Sequence, residues 1–441
     1  MKCRQSVGAI VCAAISICTG PVMLHAQQSA APDSLRLGDL QNRAVQHDPR
    51  TRQLDLLSSQ SALRMQDIDA SRLPTIGANA QGQYQSQVVT LPLKLPNGLS
   101  LPVPAHDTYD AHVGAQQPIY DPTVSARRSV ERAQLVASEA GVQASTFALR
   151  QNVNDAYFSA LLQQAQYAEQ ESAITDLEAR RKVAASRVAQ GAALRSETEM
   201  LDAELLRRRQ AAAQLAAGRD AALVVLGDLT GQQIPAADAL VFPDLSAAVA
   251  RVRQDVDTLR ARPEYEQFAR SRDVLAQQQT SLGAADLPRV SAFGRAGYGR
   301  PGLNPLAQAF SNYWLAGVQV EWTPWNWGAT RRDREVLELQ RQIVATNEAA
   351  FDRSVQRSIA REVASIDQLA QTLADDDTIV ALRENILRET GFRFSEGVVT
   401  SADYVDRETD LLDARLSRAT HRVQLAQARA NFLTSLGLGV H

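Results

Sequence analysis

The chain has 441 residues and a formal net charge of −3, with no basic cluster of the kind that marks a nucleic-acid binder. All three cysteines, Cys3, Cys12 and Cys18, precede residue 27, so the rest of the chain offers no disulfide, thiolate ligand or cysteine nucleophile. Beyond the N-terminal segment nothing reaches the roughly 18 continuous apolar residues of a membrane helix, so a membrane-embedded form has to be a β-barrel.

Lys2 and Arg4 precede an apolar stretch from Val7 to Ile17, and a short segment ending at Ala26 follows. This reads as a secretory signal peptide over residues 1–26, cleaved before Gln27, although Leu24 stands where alanine fits best. Its loss takes the charge to −5, because Lys2 and Arg4 are its only charged residues. Val11 before Cys12 and Ile17 before Cys18 argue against lipid attachment.

A helix then leads into a first hairpin. From Thr75 to Val89 the even positions read Ile76, Ala78, Ala80, Gly82 and Tyr84, and the odd ones Asn79, Gln81, Gln83, Gln85 and Gln87. Its partner, around Tyr109 to Gln117, alternates Tyr109, Ala111, Val113 and Ala115 with Asp110, His112, Gly114 and Gln116. Small apolar residues on one face and amides on the other suit a transmembrane barrel with a wet lumen. Residues 123 to 187 carry no proline and predict one helix of about 100 Å at 1.5 Å per residue, followed by a tight turn and a second long helix.

The second half repeats this order. Val290, Ala292, Ala296 and Tyr298 form one strand face, and Trp314, Ala316, Val318, Val320 and Trp322 stand against Gln319 and Glu321 in the next strand. Residues 328 to 393 again lack proline, with Phe351, Val355, Ile359, Val363, Ile366, Ala370 and Leu373 at helical spacing. The last helix has a seam of Val405, Leu412, Ala419, Ala426 and Leu433, flanked by Leu416, Val423 and Ala430. These stripes read as coiled-coil core without chemistry. The aromatics Tyr84, Tyr109, Tyr298, Trp314, Trp322, Trp325 and Trp327 read as a membrane-interface girdle, the alternative being an aromatic core where helices meet sheet. Four strands cannot close a barrel, which needs about eight, so the chain is expected to oligomerise through its strand edges.

Length alone suggests about three domains, but the internal repeat favours a single unit. Pro49, Pro74 and Tyr84 match Pro263, Pro288 and Tyr298 at an offset of 214; Pro118 and Gly191 match Pro324 and Gly397 at 206; Leu226 and Gly227 match Leu436 and Gly437 at 210. We therefore expect repeats over 35–231 and 246–437 within a unit spanning 27–441.

Arg187-Val-Ala-Gln-Gly191 and Arg393-Phe-Ser-Glu-Gly397, followed by Glu197 and Asp403, lie at matching depth in the two halves, as do the corners Pro118-Ile-Tyr-Asp121 and Pro324-Trp-Asn-Trp-Gly328. On these motifs the sequence resembles the TolC-like outer-membrane efflux proteins over essentially the whole chain after residue 26. The resemblance implies a mainly α fold with a membrane β-barrel portion, in which each protomer of a homotrimer gives four strands to a shared 12-stranded barrel and its helices to a periplasmic tunnel. It implies a passive export duct in the outer membrane of a diderm bacterium, in contact with outer-membrane lipid. A periplasmic adaptor and an inner-membrane pump, proton-driven or ABC type, would supply the cargo. It places adaptor-docking tips at Arg187, Gly191, Ala192, Ala193, Leu194, Arg393, Gly397, Val398 and Val399, and a tunnel entrance at Asp403, Asp406 and Glu197. Where some members tie the closed tip with an arginine and a tyrosine, this chain has Val399 and Phe394.

No enzyme chemistry is legible. His47, His106, His112, His421 and His441 are scattered, with no two at ligand spacing on one helix face, and there is no GxSxG or Gly-rich phosphate loop. No metal or cofactor is expected. Arg207, Arg208 and Arg209 read as a solvated helix face, with adaptor contact as the lesser alternative. The rival reading for the whole chain is an elongated periplasmic coiled-coil adaptor or scaffold, which normally has one helical hairpin rather than two.

Overall fold

The computed structural model describes residues 35–89, 103–235, 240–254 and 261–440; the expected signal peptide and His441 lie outside them. From Leu35 onward the chain is one unit. Helices α1 (Leu37–His47) and α2 (Arg52–Ala70) lead into strands β1 (Thr75–Tyr84) and β2 (Asp107–Tyr120), then helices α3 (Thr123–Phe147), α4 (Leu149–Ala189) and α5 (Arg195–Thr230). The second pass is α6 (Ser246–Val252), α7 (Pro263–Ala285), β3 (Arg289–Arg300), β4 (Ser311–Glu321), α8 (Ala329–Ser395) and α9 (Ser401–Ser435).

The strands form one antiparallel sheet in the order β1-β2-β3-β4. Its register carries the alternation seen in sequence across all four strands: Ile76, Ala115, Gly294 and Ala316 form one apolar rung, and Ala78, Val113, Ala296 and Trp314 the next. The rung after these, on the other face, reads Asn79, His112, Gly297 and Tyr313. Because strand side chains alternate with period 2, this register puts every apolar rung on one face. That face is bare: Ile76 is 73%, Val113 56%, Trp314 75% and Val318 65% exposed. The polar face is cross-linked, with Tyr313 and His112 both bonded to Asp110. The first strand stops at Tyr84 instead of reaching Val89, and the second runs past Gln117 to Tyr120 with a register shift between Pro118 and Tyr120. Proline has no N–H to give the ladder, which accounts for the irregularity there.

Four long helices stand side by side as α5, α4, α9 and α8, with α5 also touching α9. The larger core gathers the start of α4, the ends of α5 and α9 and the middle of α8 around α1, where Leu40, Tyr157, Phe158, Phe432 and Leu436 are buried together. Within it Gln41 donates to Asn154 at 2.6 Å, and Asn154 donates to Asn431 and Thr434 at 3.1 Å each, so the buried amides satisfy one another. The repeat reaches the level of single ion pairs: Arg209–Glu178 and Arg415–Glu384, both 2.7 Å, are the same pair 206 residues apart.

The single helix expected over residues 123 to 187 is broken, whereas its counterpart α8 runs unbroken for 67 residues. The break at Ala148 has a cause outside the helix. In an unbroken helix the Ser145 carbonyl accepts from the Leu149 N–H. Here it accepts from Arg50 Nη1 at 3.0 Å, and Asp48 holds that arginine at 2.8 and 3.0 Å. The hydroxyls of Ser145 and Thr146 also bond back to the Val142 carbonyl at 2.8 and 3.1 Å, which bends helices. At the offset of 214 the pair Asp48 and Arg50 becomes Arg262 and Glu264, so no cation sits where Arg50 does and α8 stays whole. Replacing Arg50 with alanine is expected to cost about 1–2 kcal/mol, as for a hydrogen bond from a charged group. It should also slow hydrogen exchange at the Leu149 amide; an unchanged unfolding midpoint together with unchanged exchange would show that the break arises within the helix.

Candidate functional site

The far ends of the two helical hairpins are built alike. At the first, the Ala192 N–H bonds the Arg187 carbonyl at 2.8 Å and the Gly191 N–H that of Val188 at 3.0 Å; at the second, Val398 and Gly397 bond Arg393 and Phe394 at 2.9 and 3.1 Å. This pair of bonds closes a helix C-terminus on a left-handed residue, and Gly191 and Gly397 have φ of 74° and 75°. The next helix starts at once in each case. Leu194 caps α5 in extended backbone, and Thr400 caps α9 in a reciprocal box with Asp403.

The turn residues Gly191, Ala192, Leu194, Gly397 and Val398 are exposed, Leu194 and Val398 at 73% and 72%, while Ala193 is half-buried. Val399 instead packs against the small core beneath the tips, and Phe394 is fully buried within it. The two repeat arginines diverge. Arg187 crosses to the other hairpin, donating to the Phe394 carbonyl at 3.0 Å with its guanidinium 5.7 Å from the Phe394 ring centre. A Cβ on Gly397 would lie 2.8 Å from Arg187 Nη2, so that glycine also makes room for the arginine. Arg393 stays on its own helix, paired with Glu389 at 2.5 Å.

Of the entrance residues, Asp403 is occupied in the cap box, where hydrogen bonds from the Thr400 hydroxyl and backbone hold its carboxyl below the usual range. Glu197 accepts from the Ser401 hydroxyl at 3.3 Å, linking the starts of α5 and α9. Asp406 is exposed on the next turn of α9.

Beneath these lies a set of residues for which the sequence suggested no role here, and it corrects one expectation: Arg208, read with Arg207 and Arg209 as a solvated helix face, is buried because it turns inward to two carboxylates. Tyr404 is fully buried against Phe394, donates to Asp176 and accepts from Arg180 Nε at 3.0 Å. One turn further, Arg208 of α5 lies 2.6 Å from Glu204 and 3.1 Å from Glu408 of α9, and donates to Thr409 at 2.8 Å; Arg207 reaches Glu204 from the surface. Burial pushes Glu408 up to about 7; Arg208 opposes this, while Glu204 and Asp176 add to it. The repeat held one clue: Tyr404 has Thr198 as its mate at offset 206, an aromatic in one half only. The ion cluster joins residues some 200 positions apart, and its only local sign was the arginine run 207–209, whose middle member proves to be the buried one.

At the other end, the aromatics form two groups. Tyr84, Tyr109 and Tyr298 stand at the loop ends of the strands with Trp314 nearby, and Phe310 stacks on Tyr298 and Tyr109 at 5.4 and 6.1 Å. Trp322, Trp325 and Trp327 follow β4 at its helix end, about 27 Å along the strand from Trp314 at 3.4 Å per residue. All seven are exposed, from 49% at Tyr109 to 80% at Trp327, so they do not form a core within the chain. Among the described residues no group of three or more His, Cys, Asp or Glu is placed to hold a metal, and no helix is long and apolar enough to cross a membrane.

A bare apolar sheet face continued by two helical hairpins is an arrangement found in solved structures. The chain has the fold of outer-membrane channels. The open-state outer-membrane channel MtrE of Neisseria gonorrhoeae is 20% identical, with a TM-score of 0.62, over 92% of this chain and 89% of that one. The outer-membrane protein VceC of Vibrio cholerae is 16% identical, with a TM-score of 0.62, over 92% and 97%. CusC, described in terms of folding and transmembrane channel formation, is 17% identical, with a TM-score of 0.64, over 92% of both chains. No protein-family model and no curated protein matches the sequence.

Glu408 gives the tip region a pH signature. Its folded value of about 7 lies above the ordinary 4.5, so the folded state binds this proton more tightly than the unfolded chain. Its contribution is most favourable at low pH and declines as pH rises from about 4.5 to 7, by ~3 kcal/mol. The Glu408→Gln variant should lack this decline, so its unfolding midpoint should gain on wild type between pH 5 and pH 8. Parallel midpoint profiles for the two proteins would show that Glu408 is already ionised at pH 5.

Proposed function

We propose that the chain is one protomer of a homotrimeric export duct in the outer membrane of a diderm bacterium. It is a passive channel and not an enzyme. Residues 1–26 act as the secretory signal, and residues 27–441 form one channel unit made of the repeats 35–231 and 246–437. The observation that carries this reading is the open sheet: among the described residues β1 and β4 have unpaired outer edges, and the apolar rungs face outward. Lipid demands both a covered backbone and an apolar exterior, and three copies joined edge to edge supply twelve strands with neither edge left open.

In this reading the two aromatic groups bracket the hydrocarbon layer, whose apolar band on such barrels is about 25 Å tall. Asp110, His112 and Gln116 face a wet lumen. The helices extend into the periplasm, where the tips at Arg187, Gly191–Leu194, Arg393 and Gly397–Val399 dock a periplasmic adaptor that connects to an inner-membrane pump. Asp403, Asp406 and Glu197, repeated three times, ring the entrance with carboxylates, which favours cations.

Fractionation tests the location and assembly: the protein should sit in the outer membrane and run as a heat-sensitive trimer, whereas a soluble periplasmic monomer would end this reading. Arginine at Ala80, Ala111, Ala316 or Val318 should cost about 2–4 kcal/mol near the midplane and reduce assembly, and arginine at Gln81 or Gln83 should be tolerated. Equal assembly defects from the two sets would remove the barrel. Aspartate at both Leu194 and Val398, whose exposed side chains are replaced while their backbone bonds are kept, should abolish export while the trimer remains in the membrane; undiminished export would move adaptor docking away from the tips.

A further inference from the structure

The polar face of the sheet carries two large rings, and both lie down along it. Phe293 of β3 is paired in register with Gly317 of β4, and Tyr313 of β4 with Gly297 of β3. In each pair the ring covers the glycine of the next strand: a Cβ on Gly317 would lie 2.8 Å from Phe293 Cζ, and one on Gly297 would lie 2.8 Å from Tyr313 Cζ and 2.6 Å from His112 Cβ. A ring laid over a cross-strand glycine fills the gap that the missing side chain leaves, so the posture is favoured by packing.

Tyr313 is also tied at its far end. Its hydroxyl passes over β3 and donates to Asp110 of β2, whose other carboxylate oxygen lies 2.5 Å from His112 Nδ1. Room for that carboxylate comes from a further glycine, since a Cβ on Gly299 would be 3.1 Å from Asp110 Oδ1. The contrast with the adjacent residue is plain: Trp314, on the apolar face, is 75% exposed, whereas Tyr313 and Phe293 are half-buried.

We propose that Gly297 and Gly317 set the bore of the duct within the membrane, by letting Tyr313 and Phe293 lie along the wall instead of standing in the lumen, and so fix the width of cargo that the barrel passes. This rests on the trimeric reading above, in which the polar face lines the lumen, and adds which residues limit size there. Twelve strands about 4.8 Å apart and tilted by about 40° enclose a backbone radius of roughly 12 Å, and a tyrosine standing straight off the wall would span about half of it. Three copies place three such rings at one level. Standing, they would crowd the axis; lying flat, they leave the centre clear for bulky solutes.

Residues 27–441 contain no cysteine, so one placed beyond the rings reports on passage from outside. Gln319 is such a position, on the polar face of β4 and nearer its helix end than either ring-covered pair. Full-length Gln319→Cys protein in intact cells is treated with water-soluble polyethylene-glycol maleimides of increasing mass. Val318→Cys, which faces lipid in the proposed reading, should stay unlabelled; equal labelling of the two would overturn the barrel and this proposal together. Added to Gln319→Cys, Gly297→Val and Gly317→Val should each lose labelling by the largest reagents that the Gln319→Cys protein admits, and Tyr313→Ala or Phe293→Ala, respectively, should restore it. Gly114→Val puts the same side chain on the same face where a Cβ would come no nearer than 3.7 Å to its neighbours, and should change nothing. Tyr313→Ala and Phe293→Ala without the valines should also leave the size limit where it was, because rings lying on the wall do not occupy the bore. That comparison decides the matter even where a valine variant fails to reach the membrane. Admission of larger reagents once the rings are removed, or an unchanged limit in the valine variants, would overturn the proposal and leave the duct standing.

Discussion

An antiparallel sheet of four strands leaves a row of backbone N–H and C=O groups along each outer strand, and the apolar rungs leave one of its faces without cover. In water the bare face is costly, and in hydrocarbon each unpaired backbone group costs several kcal/mol. Neither problem is solved inside the chain, since β1 and β4 have no further partner among the described residues and the apolar face is the more exposed one. Helix lengths, the placement of aromatics at the strand ends and the bare edges of the helix row fit the proposed reading, in which further copies cover what one chain leaves open.

The two halves share one plan at fixed offsets but are unequal in detail. The glycine turns, the ion pair joining each long helix to its return helix, and the strand faces recur at fixed offsets. Polar groups have accumulated where the first hairpin meets α9, with Tyr404, Asp176, Arg180, Arg208 and Glu408 all buried or half-buried there. Such groups are stable only when each finds a partner, so this seam specifies one relative placement of the two hairpins more strictly than alanine and leucine would.

What could be read in the sequence was whatever depends on near neighbours. Alternation from Ile76 to Tyr84 assigned the strand face because a strand's period is local, and Gly191 and Gly397 marked the reversals because only a left-handed residue closes a helix that way. The break at Ala148 escaped because its cause is Arg50, 95 residues earlier, acting on a carbonyl in a stretch that looks uniformly helical. Tyr404 escaped for a similar reason: an aromatic in the first turns of a helix is ordinary, and its importance comes from Asp176 and Arg180, more than 220 positions away. The early end of β1 followed from where pairing with β2 ran out rather than from any change in composition, since the amides continue to Gln87.

The unequal long helices also have a mechanical consequence. From the corner after β4 to the second tip, α8 is one rod of 67 residues, so displacement at Val398 is transmitted along a single elastic member to the strand. The corresponding path in the first half is interrupted at Ala148, where the Ser145 carbonyl is turned over to Arg50, so between Leu194 and β2 the rod is in two pieces. Of the two hairpins, the second therefore offers the stiffer connection between tip and sheet.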